Sequence, residues 1–346
     1  MSGIRNILLF VAGGLVVFIF WQVYEESQRS YGIDTGILVE SLLRERKDSL
    51  SQEYRLVFAG DIMLDRGVRR KTEEHGEDYT FPFLIIKDDL VGDTDIMFGN
   101  LESVISDQGR DVGGQYSFRA PPEAVEALRY LSFDIVSLAN NHAFDWGRDA
   151  FEDTMKRLQE EEIEYAGAGF DYEEAHTAKT ITLGDDALKV GFLGYTEFLF
   201  PYAIAQENRS GVTDFTEENM VRDIEKAKEE VDILIVTFHY GTEYQREPNE
   251  KQIRWSQKAI DAGADFVIGH HPHVTQPVEE YNNSFIAYSL GNFVFDQYFS
   301  EETMSGFLLE VIIDGNGETT EVNKLHYKLT ENYQPYLTEK ESFFVK

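Results

Sequence analysis

The chain opens on a long apolar stretch. From Ile7 to Val23 it reads Ile-Leu-Leu-Phe-Val-Ala-Gly-Gly-Leu-Val-Val-Phe-Ile-Phe-Trp-Gln-Val, with Gln22 the one clearly polar interruption. Counted with Ile4 and Tyr24, a helix of this length, at about 1.5 Å per residue, crosses a hydrocarbon core of about 30 Å. Arg5 and the amino terminus precede it, and Glu25 and Glu26 follow. The positive-inside rule therefore places the short tail in the cytoplasm and the rest of the chain outside. A cleaved signal peptide is the rival. Trp21, Gln22 and Tyr24 occupy the zone where small residues would mark a cleavage site, which favours an uncleaved single-pass anchor over residues 1–24, in the cell membrane.

Residues 25–53 are polar, with a weak stripe of Leu38, Leu42 and Leu43, and read as a juxtamembrane stalk. From Arg55 onward, short apolar runs alternate with amphipathic segments, the pattern of an α/β fold. Strands are expected at Arg55–Ala59, Ile96–Gly99, Ile135–Leu138, Lys189–Leu193, Ile233–Phe238 and Phe266–Ile268. Helices are expected at Pro122–Leu131, Arg148–Glu161, Glu217–Glu230 and Glu250–Ala262. Further β structure is expected at Phe285–Ser289, Gly306–Ile313 and Glu318–Tyr327, with Asp314–Gly317 as a hairpin turn. No repeat or linker divides residues 54–330. One domain is expected there, leaving 331–346 as a C-terminal tail.

Composition sharpens this in two ways. The 63 acidic residues against 31 basic ones give a formal charge of −32, a surface that repels nucleic-acid backbones and anionic lipid, so no nucleic-acid partner is expected. The absence of cysteine excludes disulfides, thiolate metal sites and a lipidated cysteine.

The candidate chemistry gathers where the strands end. The first expected strand runs into Gly60–Asp61, the second into Asn100 and Glu102, and the third into Asn140, Asn141 and His142. The fifth ends in His239 and the sixth in Gly269, His270, His271, Pro272 and His273. In open α/β sheets, ligands collect beyond the carboxyl ends of the strands, so these loops should converge. Two divalent ions about 3.5–4 Å apart need a bridging carboxylate, other oxygen ligands and several neutral imidazoles. Asp61, Glu102, Asn141, His239, His271 and His273 supply that mixture. Each piece has a plainer reading: a helix N-cap for Asp61, an Asx turn for Asn140–His142, a core histidine for His239. His75, His176 and His326 sit in contexts that suggest surface positions. Proline restricts the residue before it to extended backbone, which should fix the separation of His271 and His273.

At these positions the chain resembles the capsule synthesis and poly-γ-glutamate synthesis proteins of the CapA/PgsA type, within the calcineurin-like metallophosphatase superfamily. The matching stretches are Phe58-Ala-Gly-Asp-Ile-Met-Leu64 with Arg66, Gly99-Asn-Leu-Glu102, and Leu138-Ala-Asn-Asn-His142 with Asp145 and Gly147. After them come His239-Tyr-Gly241 with Glu243, Gly269-His-His-Pro-His-Val274 and Ser289-Leu-Gly-Asn-Phe-Val-Phe-Asp296, in family order. The resemblance implies a layered α/β sandwich with mixed sheets. It also implies two divalent ions (manganese, iron or zinc): Asp61 and His273 at one, Asn141, His239 and His271 at the other, and Glu102 between them. His142 would serve the leaving oxygen with Asp145 orienting it, while Arg66, Asn140, Glu243 and Asn292 are candidate contacts for substrate. His270 is not counted among the ligands. One departure stands out. The superfamily opens with Asp-x-His, whereas Asp61 is followed by Met63, leaving the first ion weakly held, absent, or completed by Asp65 or Glu243.

The expected role is therefore in making, exporting or attaching an anionic surface polymer, poly-γ-glutamate or capsule, alongside membrane synthase subunits. A secreted metallophosphoesterase acting on small phosphoesters or nucleotides, and a catalytically idle scaffold of a synthase, are the alternatives.

Overall fold

The structure, a computed structural model, describes residues 52–184, 188–198 and 200–346. The expected anchor and nearly all of the expected stalk lie outside the described residues. Among the described ones, no helix is long and apolar enough to cross a membrane.

Residues 53–346 form one compact unit built on two sheets. The chain first lays down β1 (Glu53–Ile62), β2 (Ile96–Leu101), β3 (Ile135–Ser137) and β4 (Glu164–Ala166), parallel and side by side in that order. Every residue of β2 is buried, because a parallel strand covered on both faces carries a continuous apolar run. The second sheet follows: β5 (Lys179–Leu183), β6 (Leu188–Thr196), β7 (Ile233–His239), β8 (Phe266–His270), β9 (Val278–Tyr281) and β10 (Ser284–Ala287), in the order β9-β10-β8-β7-β6-β5. Its inner strands are parallel and its edges, β5 and β9, antiparallel. The chain then returns to the first sheet with β11 (Asn292–Val294), β12 (Ser305–Asp314), β13 (Thr319–Leu329) and β14 (Pro335–Val345), which extend it as β14-β13-β12-β1. β1 is thus shared. Its first half pairs antiparallel with β12 and its end pairs parallel with β11, Asp61 opposite Asn292.

Alternation along the strands sorts side chains into layers. Leu56 and Phe58 of β1 join Phe98, Phe192, Ile235, Phe266 and Ile268 in a core shared by the two sheets. Val57 and Ala59 face the other way, into a core with Phe151, Met155 and Leu158 of the helix Gly147–Glu160. On the far side of the second sheet, the helices Glu217–Lys228 and Glu250–Ala262 contribute Met220, Ile224, Trp255, Ala259 and Ile260 to a third core. The result is the expected α/β architecture with mixed sheets.

Several expectations are corrected. Residues 331–346 are not a tail: Pro335–Val345 is an edge strand paired along β13, unrecognised because exposed charges such as Glu339, Lys340 and Glu341 break its apolar alternation. Pro122–Leu131 divides into a 3₁₀ turn, Pro122–Ala124, and a short α-helix, Val125–Tyr130. A helix at Arg66–Glu74 and the edge strands β5 and β9 were not among the expected elements. His176 is buried, not at the surface, with its Nδ1 2.6 Å from Asp223 Oδ2.

One close approach fixes the end of β1. The Gly291 carbonyl accepts the Asp61 N–H at 3.0 Å, and a Cβ on Gly60 would stand 1.9 Å from that same oxygen. Gly60→Ala is accordingly expected to cost about 1–3 kcal/mol or more, as overpacking does. It should appear as a lower urea midpoint at unchanged slope. A variant as stable as the parent would contradict this packing.

Candidate metal centre

Parallel strands share a carboxyl end, so the loops after β1, β2, β3, β7 and β8 meet at one rim. Asp61, Glu102, His239, His271 and His273 come together there, each at most 5% exposed. Their ligand atoms form two groups within 4.8 Å, Asp61–Glu102–His239 and Glu102–His271–His273, which share Glu102. The shortest contacts are His273 Nδ1 to Asp61 Oδ2 at 3.2 Å and His271 Nδ1 to His239 Nε2 at 3.1 Å. Glu102 Oε1 is buried without a hydrogen-bond partner, yet Nε2 of His142, His239 and His273 stand 3.7–3.8 Å from it. Those separations are too long for hydrogen bonds. For His239 and His273 they suit atoms sharing a cation, since ligands each about 2.0–2.2 Å from one ion lie at most about 4.4 Å apart. Asn141 Oδ1 is likewise buried and unpartnered. The residues present therefore fit divalent ions, though divided otherwise than expected, with Asp61 beside His239 and His271 beside His273, and carboxylate, amide and imidazole donors suit manganese, iron or zinc.

The electrostatics agree with that fit. Burial, then the charge of His271, pushes His239 well below the usual imidazole range. Burial and the charge of His273 push His271 down to about 3. Both rings are neutral at pH 7, the form that ligates metals. Burial alone would raise the Asp61 carboxyl, but the facing imidazoles of His270 and His273 outweigh it and hold Asp61 well below the carboxylate range. Glu102 goes the other way: burial, then the charges of Asp61, Glu243 and Asp145, raise it well above its usual value. An apposed cation would reverse that penalty.

The backbone around the centre is unusual. His271 and His273 have φ of 97° and 57°, in the left-handed region that non-glycine residues seldom adopt. The extended conformation expected before Pro272 is not found. The loop instead coils, so that the His271 N–H donates to Asp61 Oδ2 at 3.2 Å while both imidazoles turn inward. Such strain persists only where the surroundings enforce it, and it clusters at functional sites.

Beside the buried cluster lies a cleft of about 300 Å³, lined by Arg66, Phe118, His142, Glu243 and Tyr244 among others. His142 Nδ1 is 2.7 Å from Asp145 Oδ2, which also accepts the Phe118 N–H, and its ring packs 4.1 Å from that of Phe118. Arg66 is held by Asp296 in an ion pair and lies over the Phe118 ring. Glu243 is exposed on the lip. Two expected substrate contacts prove to be framework. Asn140, 4% exposed, donates to Leu101 O and Asn100 Oδ1 and accepts the His142 N–H. Asn292, fully buried, presents Oδ1 to His273 Nδ1 at 2.9 Å and donates to Gln297 and Thr303. Their amides are spent on holding other site residues.

Met63, in the place where the resemblance leads one to look for histidine, is buried in the apolar core, its sulfur accepting the Asp65 N–H at 3.2 Å. Asp65 is committed to the Arg119 N–H, and neither it nor Glu243 joins the ligand groups. Asn100 was overlooked as an individual residue. Its Nδ2 donates to Asp61 Oδ1 at 2.8 Å and lies 3.3 Å from His239 Nδ1. The two-residue spacing of Asn100 and Glu102, which puts both on one face at the end of β2, was the available signal.

Residues 55–297 match the family described as bacterial capsule synthesis protein PGA_cap. The chain is 33% identical over 263 residues to the PGA biosynthesis protein CapA of Bacillus subtilis, covering 75% of this chain and 68% of that protein. It is 30% identical over 276 residues to the capsule biosynthesis protein CapA of Bacillus anthracis, covering 77% of this chain and 66% of that one. The chain thus spans about two thirds of the length of these curated relatives. Among solved structures it is similar to the calcineurin-like phosphoesterase YfkN of Bacillus subtilis, at 14% identity and a TM-score of 0.40, over 84% of this chain and 90% of that one.

Proposed function

Because the chain belongs to the bacterial capsule synthesis protein family, we propose that it serves the synthesis, export or attachment of an anionic surface polymer, poly-γ-glutamate or capsule, through a hydrolytic metal centre. We place it on the outer face of the cell membrane, held by the segment 1–24 and working with membrane synthase subunits. The observation that supports the centre is the unpartnered Glu102 Oε1, approached to 3.7–3.8 Å by Nε2 of His239 and His273.

Asp61, Glu102, Asn141, His239, His271 and His273 would hold two divalent ions, which when bound supply Lewis-acid charge neutralisation and acidify a water. The protein's own groups do the rest. Asp145 fixes the His142 ring through Nδ1, leaving Nε2 toward Glu102 and the cleft, where it can hold or deliver a proton to a leaving oxygen. Asn292 and Asn100 orient His273 and Asp61. Phe118 walls the cleft beside His142 and keeps water from that flank. The acidic surface repels a polyanion, which favours a reaction on a precursor or chain end over packing of long polymer against the domain.

The test is metal analysis of the full chain purified in detergent, together with complementation of a deletion strain. The parent is expected to carry a transition metal and to restore polymer. His271→Ala should lose most of the metal and fail to complement. Full polymer production by a metal-free His271→Ala protein would instead establish the scaffold role.

A further inference from the structure

We infer that His270 is a positioning residue of this centre, bearing on the Asp61 carboxylate from the inter-sheet side; the inference rests on the centre taking a divalent ion. His270 ends β8, directly across from His239 in register. Phe266 and Ile268 of the same strand point into the core between the sheets, and His270 continues their face, its ring 5.9 Å from that of Phe98. It is 1% exposed, and neither ring nitrogen has a hydrogen-bond partner. Buried polar groups are almost always satisfied, so an imidazole idle at both nitrogens, set beside the Phe98 ring, calls for a use.

The use is next to it. His270 Nδ1 faces Asp61 Oδ1 at 3.5 Å, just beyond hydrogen-bond length. The Asp61 carboxylate is otherwise approached by Asn100 Nδ2 at Oδ1, and by the His271 N–H and His273 Nδ1 at Oδ2. Met63, two residues on, is withdrawn into the core, so β1 offers the centre no ligand from that position. Asp61 must therefore be aimed by its neighbours. Carboxylates that bind metals are themselves hydrogen-bonded, and His270 approaches Asp61 Oδ1 from β8, alongside the Asn100 amide that reaches the same oxygen from β2. An Nδ1–H at this position would have only a few tenths of an ångström to close to reach Asp61 Oδ1 and give the ring a partner.

The inference is tested on the full chain in detergent with His270→Phe, which keeps a ring against Phe98 and deletes both nitrogens. Manganese titration by calorimetry should show affinity lowered about 10–100-fold at unchanged stoichiometry. Without ion, the variant should melt at or above the temperature of the ion-free parent, because two unsatisfied buried groups are gone. His270→Asn, which retains an N–H at the same place, should regain part of the affinity. Unchanged manganese affinity in His270→Phe would overturn the inference. So would an equal fall in ion-free stability, which marks a purely structural residue, or the loss of one ion from the stoichiometry, which marks a ligand. A parent that binds no manganese would remove the centre itself, a separate failure.

Discussion

Glu102→Gln is expected to reduce divalent-ion affinity at least about 100-fold, at or beyond the upper end of what losing an outer partner costs a metal site. It should also stabilise the ion-free protein at neutral pH. Both effects come from one carboxylate that is fully buried, beside Asp61, with an oxygen that nothing in the protein satisfies. Glutamine keeps the shape and removes the charge an ion needs. The stability effect has a definite sign. Because the folded-state pKa of Glu102 is raised, its contribution is fully present below its unfolded value of about 4.5 and is lost as pH rises through the raised value. At pH 7 the ion-free parent bears that loss and the variant does not. The gain should be of order 1–3 kcal/mol, the scale of an unsatisfied buried group, and should vanish below about pH 4.5. Thermal unfolding in chelator across this pH range measures it. A variant less stable than the parent at pH 7 would mean that Glu102 contributes by some other means.

The second large effect belongs to His142. His142→Ala should lower turnover of an aryl phosphate, assayed with manganese, by about 10²–10⁴-fold, the usual contribution of a positioned acid or base. Ion content should stay close to the parent's, because His142 lies outside both ligand groups. Comparing phosphate release with metal content separates the proton-handling role from a ligand role. If metal is lost in parallel with activity, His142 is a ligand and the proton must come from elsewhere.

Much of this site was legible in the sequence because strand endings are legible. An apolar run stopping at Asp61, Glu102, His239 or His271 marks a residue at the carboxyl rim, and parallel pairing brings the ends of β1 and β2, and of β7 and β8, to the same side of their sheets. Local direction was not legible. Whether Asn140 faces the cleft or the framework depends on the Leu101 carbonyl, which another strand supplies. The coil at His271–His273 escaped notice because the preference of a residue before proline gives way there to contacts with Asp61. Asn292 looked like a cleft residue and became a support for His273 because β11 crosses back to lie beside β1. The terminal strand β14 went unseen for a related reason: an edge strand protects itself with charge, and charge is what a pattern search takes for loop.

The sharing of β1 between early and late strands has a consequence for assembly. A ribosome releases β1 and β2 early, but the partners on β1's other flank, β11 and β12, emerge only after the whole second sheet. Until then that flank is an open hydrogen-bonding template, a hazard for any chain that waits or is handed across a membrane unfolded. Closure depends on contacts between residues far apart in the chain, so it should be slow and come late. Truncation after residue 297, where the match to the family model ends, would leave every proposed ion ligand in the chain and remove the strands that brace the one carrying Asp61.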